Sequence, residues 1–132
     1  MVEWHTKSDK KSSGGRRQSL GRCSKKKAWM GGRAAHTKTQ EGIEDNRESN
    51  AGRGKTTKVR ATAVKYANIY SEGKTIKAEI LAVKENNANR LFVRSNTATK
   101  GALVRVKING QEKVAKVTNR PGQDGVINAI FA

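Results

Sequence analysis

Residues 102–118 read ALVRVKINGQEKVAKVT. Val104, Val106 and Ile108 alternate with Arg105 and Lys107, the period of a strand with one apolar and one polar face. Asn109-Gly110 follows, and both residue types accept the positive φ that a two-residue hairpin turn requires. QEKVAKVT at 111–118 then runs back. The turn and the alternation together read as a β-hairpin, so the fold around it is expected to be built on strands.

The same signals extend outward from this hairpin. Upstream, KTIKAEILAVKE at 74–85 puts Ile76, Ala78, Ile80 and Ala82 on one face and Lys77 and Glu79 on the other. Glu72-Gly73 supplies the turn before it, and TTKVRATAVKYANIY at 56–70 is rich in β-branched and aromatic residues. RLFVRS at 90–95 reads as a further short strand. Downstream, a turn at 120–125 leads into VINAIFA. No helix-length pattern interrupts the series. The expectation is an all-β fold: a small closed or nearly closed barrel of about six short antiparallel strands, occupying residues 56–132. Closure also removes edges that would otherwise pair with other chains.

The rest of the chain has a different composition. Lys and Arg total 28 against 11 Asp and Glu, a net charge of +17 over 132 residues. Residues 1–40 hold eleven of those cations and only two acids, Glu3 and Asp9. Their large apolar residues, chiefly Val2, Trp4, Leu20, Trp29 and Met30, follow neither a helical nor a strand period. Such a segment buries too little to offset its ordering entropy and is expected to be a long basic N-terminal extension that orders on a partner. Residues 41–55 form a polar linker, locally acidic through Glu41, Glu44, Asp45 and Glu48, with room for a short helix over 40–48.

The charge selects polyanions as partners, nucleic acid ahead of an anionic membrane surface. Arg forks onto phosphate oxygens, Lys neutralises them, Gly allows close approach to a groove, and Trp stacks on an unpaired base. On these grounds the extension's RNA-binding candidates are Trp4, Lys7, Lys10, Lys11, Arg16, Arg17, Arg22, Lys25, Lys26, Lys27, Trp29, Arg33 and Lys38. Arg53 and Lys55 come next, in the linker. Arg90, Arg94, Lys100 and Arg120 are the candidates on barrel loops. NRPGQDG at 119–125 is a shaped turn, because Pro121 fixes φ and Gly122 accepts a positive one.

Other chemistries find little support. Gly54-Lys55-Thr56 matches the end of a phosphate-binding GxxxxGK[ST] loop, but Ser49 stands where its first glycine belongs. The residues after Thr56 read as a strand, without the helix N-terminus that holds phosphate. Cys23, His5 and His36 have no metal-ligand spacing, so no metal is expected. Cationic neighbours in GRCSKKK would lower the pKa of the Cys23 thiol, with no base or acid nearby to make a catalytic set. The barrel's acids, Glu72, Glu79, Glu85, Glu112 and Asp124, are isolated. No enzyme, cofactor or small-molecule substrate is expected. A lone cysteine, and the lack of any membrane-spanning run or signal-like start, point to a soluble cytoplasmic protein with no membrane partner.

One resemblance is specific. The run KVTNRPGQDGVINAIF at 116–131 looks like the signature end of small-subunit ribosomal protein eight of the eukaryotic and archaeal type. Trp4, Ser13-Gly14-Gly15-Arg16, KKKAWMGGRAAHTK at 25–38, ANIY at 67–70, ENNANR at 85–90 and TKGA at 99–102 agree with that family in order. The short length resembles the archaeal members. The chain departs from the pattern at Asn87, where Pro is frequent, at AGRGK before the barrel, and between residues 17 and 35. The resemblance implies a structural protein of the small ribosomal subunit, with small-subunit ribosomal RNA and neighbouring small-subunit ribosomal proteins as partners. It implies no catalysis and no cofactor. The alternative is a free-standing RNA-binding protein or RNA chaperone outside the ribosome.

Overall fold

A computed structural model describes residues 2–18, 25–52 and 54–132. The chain divides into two compact units, Met1–Ala34 and Ala35–Ala132.

In the first unit, β1 (Glu3–Trp4) pairs antiparallel with β2 (Met30–Gly31), matching Glu3 to Gly31 and Trp4 to Met30. A 3₁₀ turn at Lys27–Trp29 leads into β2. A second closure brings Lys10 opposite Arg16. Gly14, at φ +83°, makes the tight turn between them. None of the described residues in this unit is buried. Backbone pairings and exposed side-chain contacts link its described residues, with no buried core among them.

The second unit contains the core. The strands β5 (Tyr66–Ser71), β6 (Lys74–Glu85), β7 (Leu103–Ile108), β8 (Gln111–Val117) and β9 (Ile127–Phe131) close into a barrel in that order. Neighbours are antiparallel except β5 and β9, which run parallel and seal the barrel through Ala67–Ile127 and Ile69–Ala129. A five-stranded barrel is narrow, and its lining has the sizes this requires. Ala67, Ala78, Ala115 and Ala129 alternate with Ile69, Ile80, Val104, Val106, Val117 and Ile127, all at most 2% exposed. The hairpin at 102–118 forms as the sequence indicates, with Asn109 and Gly110 both at positive φ.

Three local expectations change. First, RLFVRS contains a helical turn, α1 (Leu91–Arg94), where a strand was expected. Asn89 accepts the Leu91 N–H on its side chain at 2.9 Å and the Phe92 N–H on its carbonyl at 3.0 Å, which curls the chain. Phe92 and Val93 are both half-buried, on neighbouring positions of that turn. Second, the inward face of β6 does not continue to Ala82. The register to β7 shifts between Ile80 and Ala82, so Val83 becomes the buried residue. Third, residues 46–51 form strand β3 (Asn46–Ala51) in place of a helix at 40–48, paired antiparallel with β4 (Thr57–Ala63) outside the barrel.

The segment before β3 is also fastened to this unit. Thr37 and Thr39 are buried, and their hydroxyls donate to the carbonyls of Ala61 and Asn96 at 2.7 and 3.2 Å. Between them Lys38 bridges both Ala63 and Thr97. At the other end of the chain, α2 (Pro121–Asp124) packs on β4. Pro121 starts this turn and Gly125, at φ +73°, ends it.

Candidate nucleic-acid interface

The cations group by where the backbone turns. Around the Gly14 turn, Lys11 and Gly15 share a 2.8 Å backbone hydrogen bond, and Arg17 donates its backbone N–H to Asp9 at 2.7 Å. Arg17 Nε also reaches the Lys10 carbonyl at 3.3 Å. Lys10, Lys11, Arg16 and Arg17 are thereby gathered on one short, fully exposed turn. A compact set of four cations on a glycine turn suits a phosphate backbone.

A second group surrounds the two tryptophans. Lys25 Nζ lies 6.0 Å from the Trp4 ring, and Lys26 Nζ lies 5.3 Å from that of Trp29. Lys27 lies in the 3₁₀ turn beside them. Arg33 Nε donates to Glu3 at 3.0 Å, so part of its charge is already answered. His5 contacts the Gly32 carbonyl at 3.2 Å, and its ring lies 2.6 Å from where a Cβ on Gly31 would sit. A side chain at position 31 would have to move the His5 ring. Lys7 is exposed. Arg22 and Arg53 lie outside the described residues.

The second unit has its own set. Lys38 Nζ donates to the Ser95 carbonyl at 2.9 Å, which places it at the C-terminal end of α1, the helical turn that carries Arg94 and follows Arg90. Lys100 sits on the turn before β7, next to Gly101 at φ +85°. Arg120 opens the α2 loop, where its backbone N–H and the Asn119 amide both donate to Asp124 Oδ2 at 3.1 Å. Asn119 also donates to the Val126 carbonyl and accepts the Asn128 N–H, so one side chain shapes the loop.

Lys55 lies in the turn between β3 and β4. Gly52 N–H donates to the Thr56 carbonyl at 2.7 Å, and Gly54 has φ +72°. The GKT triplet is therefore part of a hairpin turn that runs straight into β4. No helix comes after it to supply the N–H row of a nucleotide loop. Among the described residues no group of three His, Cys, Asp or Glu side chains is placed to hold a metal.

Sequence reasoning passed over the outward cations of the barrel strands, although the alternation had already placed Arg105 and Lys107 on the polar face. Lys107 stands in register between Glu112 and Glu79, with an acid on each neighbouring strand. Lys65 pairs with Glu79 at 3.2 Å, and the carboxylate beside it holds the ammonium above the ordinary lysine value of 10.5. Lys116 differs, because its register neighbours are Leu103 and Ile130.

Comparison with known proteins gives the family. Residues 4–132 match the family described as ribosomal protein S8e. The chain belongs to that family. Among curated relatives, the small ribosomal subunit protein eS8 of Pyrobaculum aerophilum is 41% identical over 124 residues, covering 92% of this chain and 89% of the relative. The protein of the same name from Methanospirillum hungatei is 40% identical, with 98% of each chain covered. That from Methanococcus maripaludis is 36% identical over 99% of this chain and 98% of its own. This ribosomal protein S8e family member is thus matched at both of its units and along nearly its full length. Ribosomal proteins of this family are structural, and the chain is not an enzyme.

Proposed function

We infer that this chain is a structural component of the small ribosomal subunit, in the cytoplasm, and that it binds small-subunit ribosomal RNA through residues 1–34, Lys38 and the barrel loops. Neighbouring small-subunit ribosomal proteins complete its surroundings. The observation that carries this reading is the contrast between the units. Residues 2–18 and 25–34 have no buried residue yet hold most of the extension's cations, whereas residues 35–132 hold the core. A segment with that charge and no core gains its order from a polyanion. Family membership supports RNA of the small subunit as that polyanion.

The roles then divide by geometry. The Gly14 turn supplies Lys10, Lys11, Arg16 and Arg17 to phosphates. Trp4 and Trp29 offer ring faces that a base can share with Lys25 and Lys26. Lys38, Arg90, Arg94, Lys100, Arg120 and Lys55 seat the barrel unit against the RNA surface, with Arg22 and Arg53 as further phosphate contacts. The free-standing RNA chaperone is the rival reading, and sedimentation separates the two.

The experiment is binding of small-subunit RNA by the intact chain and by the variant Lys10→Ala, Lys11→Ala, Arg16→Ala, Arg17→Ala across a salt series. Losing up to four phosphate contacts should flatten the slope of log K against log salt by roughly 3 to 4. An unchanged slope would remove the Gly14 turn from the interface. In a moderate-salt wash the intact chain should sediment with the small subunit.

A further inference from the structure

The outer face of the barrel carries a second kind of surface. Strand register aligns Leu103, Lys116, Ile130 and Tyr70 in one row across β7, β8, β9 and β5, and side chains in register share a face. Tyr70 is 59% exposed and Ile130 43%. The adjoining row holds Asn68 and Asn128, whose side-chain amides hydrogen-bond each other at 3.3 Å. That bond uses one donor and one acceptor and leaves both kinds of group on the exposed edge, whichever way the amides are oriented.

The two tyrosines of β5 differ in their surroundings. Tyr66 is half-buried and already covered, with Lys77 Nζ at 4.2 Å and Lys65 Nζ at 5.5 Å from its ring. No cation or ring among the described residues lies over Tyr70. Its ring is an open aromatic face on a rigid strand. An amide pair begins about 7 Å away along the same face of the strand, and the uncompensated Lys116 lies one strand beyond Ile130. Among the described residues the only acid in Tyr70's row is Glu85, at its far end beyond Leu103.

We propose that this face, centred on Tyr70, binds an unpaired nucleobase of RNA. The base stacks on Tyr70 and rests against Ile130, Asn68 and Asn128 meet its polar edge, and Lys116 meets the adjoining phosphate. The chemistry of the row favours this occupant. An aromatic face fits the π-face of any base, amides fit its hydrogen-bonding edge, and a lone cation beside them fits a phosphate. The proposal rests on the RNA-binding reading above and adds a site on the outer face of the barrel strands, where none of the residues assigned to RNA lies.

The test uses the intact chain, with binding of a fluorescent single-stranded RNA of about 12 nucleotides and a blunt duplex of about 12 base pairs. Salt is set high enough to weaken the purely ionic share. Tyr70→Ala should weaken single-strand binding roughly 5- to 150-fold and change duplex binding by less than about twofold. Tyr70→Phe should keep single-strand affinity within about twofold, since it keeps the ring. Circular dichroism checks that both variants keep the barrel. An unchanged single-strand affinity in Tyr70→Ala overturns the proposal, as does an equal loss for the duplex. A crosslink from position 70 to a neighbouring protein in the assembled particle also overturns it. If Tyr70→Ala has no effect while the Gly14-turn variant loses affinity, only the base site fails. If the intact chain binds no RNA at all, both readings fail.

Discussion

Asn86 is 5% exposed and buried in the second unit. Its amide donates to the Thr97 carbonyl at 3.0 Å, and its oxygen accepts from the Ala88 N–H and the Thr99 hydroxyl. Removing it would strand the buried Thr97 carbonyl and take a partner from the Ala88 N–H and the Thr99 hydroxyl, which lie nearer the surface. Asn86→Ala should therefore cost about 2–3 kcal/mol in denaturant unfolding. A loss of a few tenths would mean that water replaces the amide. Nothing in ENNANR announces this role, because apart from the local Ala88 N–H its partners are Thr97 and Thr99, which only the fold brings near. Lys65 is a milder case. With Glu79 beside it, its folded pKa lies above 10.5, so the ion pair's stabilisation is fully present at neutral pH. It fades only as alkaline pH rises through the folded value. In Glu79→Gln the Lys65 ammonium should titrate closer to its ordinary value by NMR, and an unmoved titration would show that Glu79 is not the cause.

Among the elements, the hairpin at 102–118 was fully legible because its information is local: alternation on both strands and an Asn-Gly turn. The helical turn at 91–94 was not. LFV satisfies a strand's composition, and the competing signal is a single Asn89 side chain that captures the Leu91 N–H. The face switch in β6 was hidden as well, since a register shift is set by the partner strand. The α2 turn lies between. Its Pro-Gly and Asp-Gly pairs mark a turn, but not that Gly125 lies against β4. A Cβ there would come within 2.7 Å of Val59 Cγ1 and 3.1 Å of Val59 Cβ, at a φ of +73°. Arg47 Nε further fixes this glycine by donating to its carbonyl at 2.8 Å. Gly125→Ala should cost about 1–3 kcal/mol. Adding Val59→Ala should recover the steric part but not the backbone part. If the double variant were as stable as the parent, φ strain would be negligible here.

At the scale of the whole molecule, the charge asymmetry and the all-β class were legible in composition and period. A closed barrel was expected as well, but not the parallel pair that closes it. A parallel pair between β5 and β9 leaves no mark that distinguishes it from an antiparallel one, because both place Ala and Ile inward. Nor did composition show that Thr37 and Thr39, embedded in basic text, lie buried beside β4 and residues 96–98. The candidate interface was legible as residue types but not as groupings. The Gly14 turn and the tryptophan–lysine contacts exist only once the backbone closes. The RNA-binding role proposed for this chain turns on residues 1–34 being ordered by small-subunit ribosomal RNA. The most direct test is ultraviolet crosslinking of the intact chain within isolated small subunits, with crosslinked peptides and nucleotides both identified. Crosslinks should concentrate between Trp4 and Arg33, with sparser ones at the barrel loops, all to small-subunit RNA. Crosslinks confined to the barrel, with residues 4–33 joined to none or only to proteins, would contradict that role.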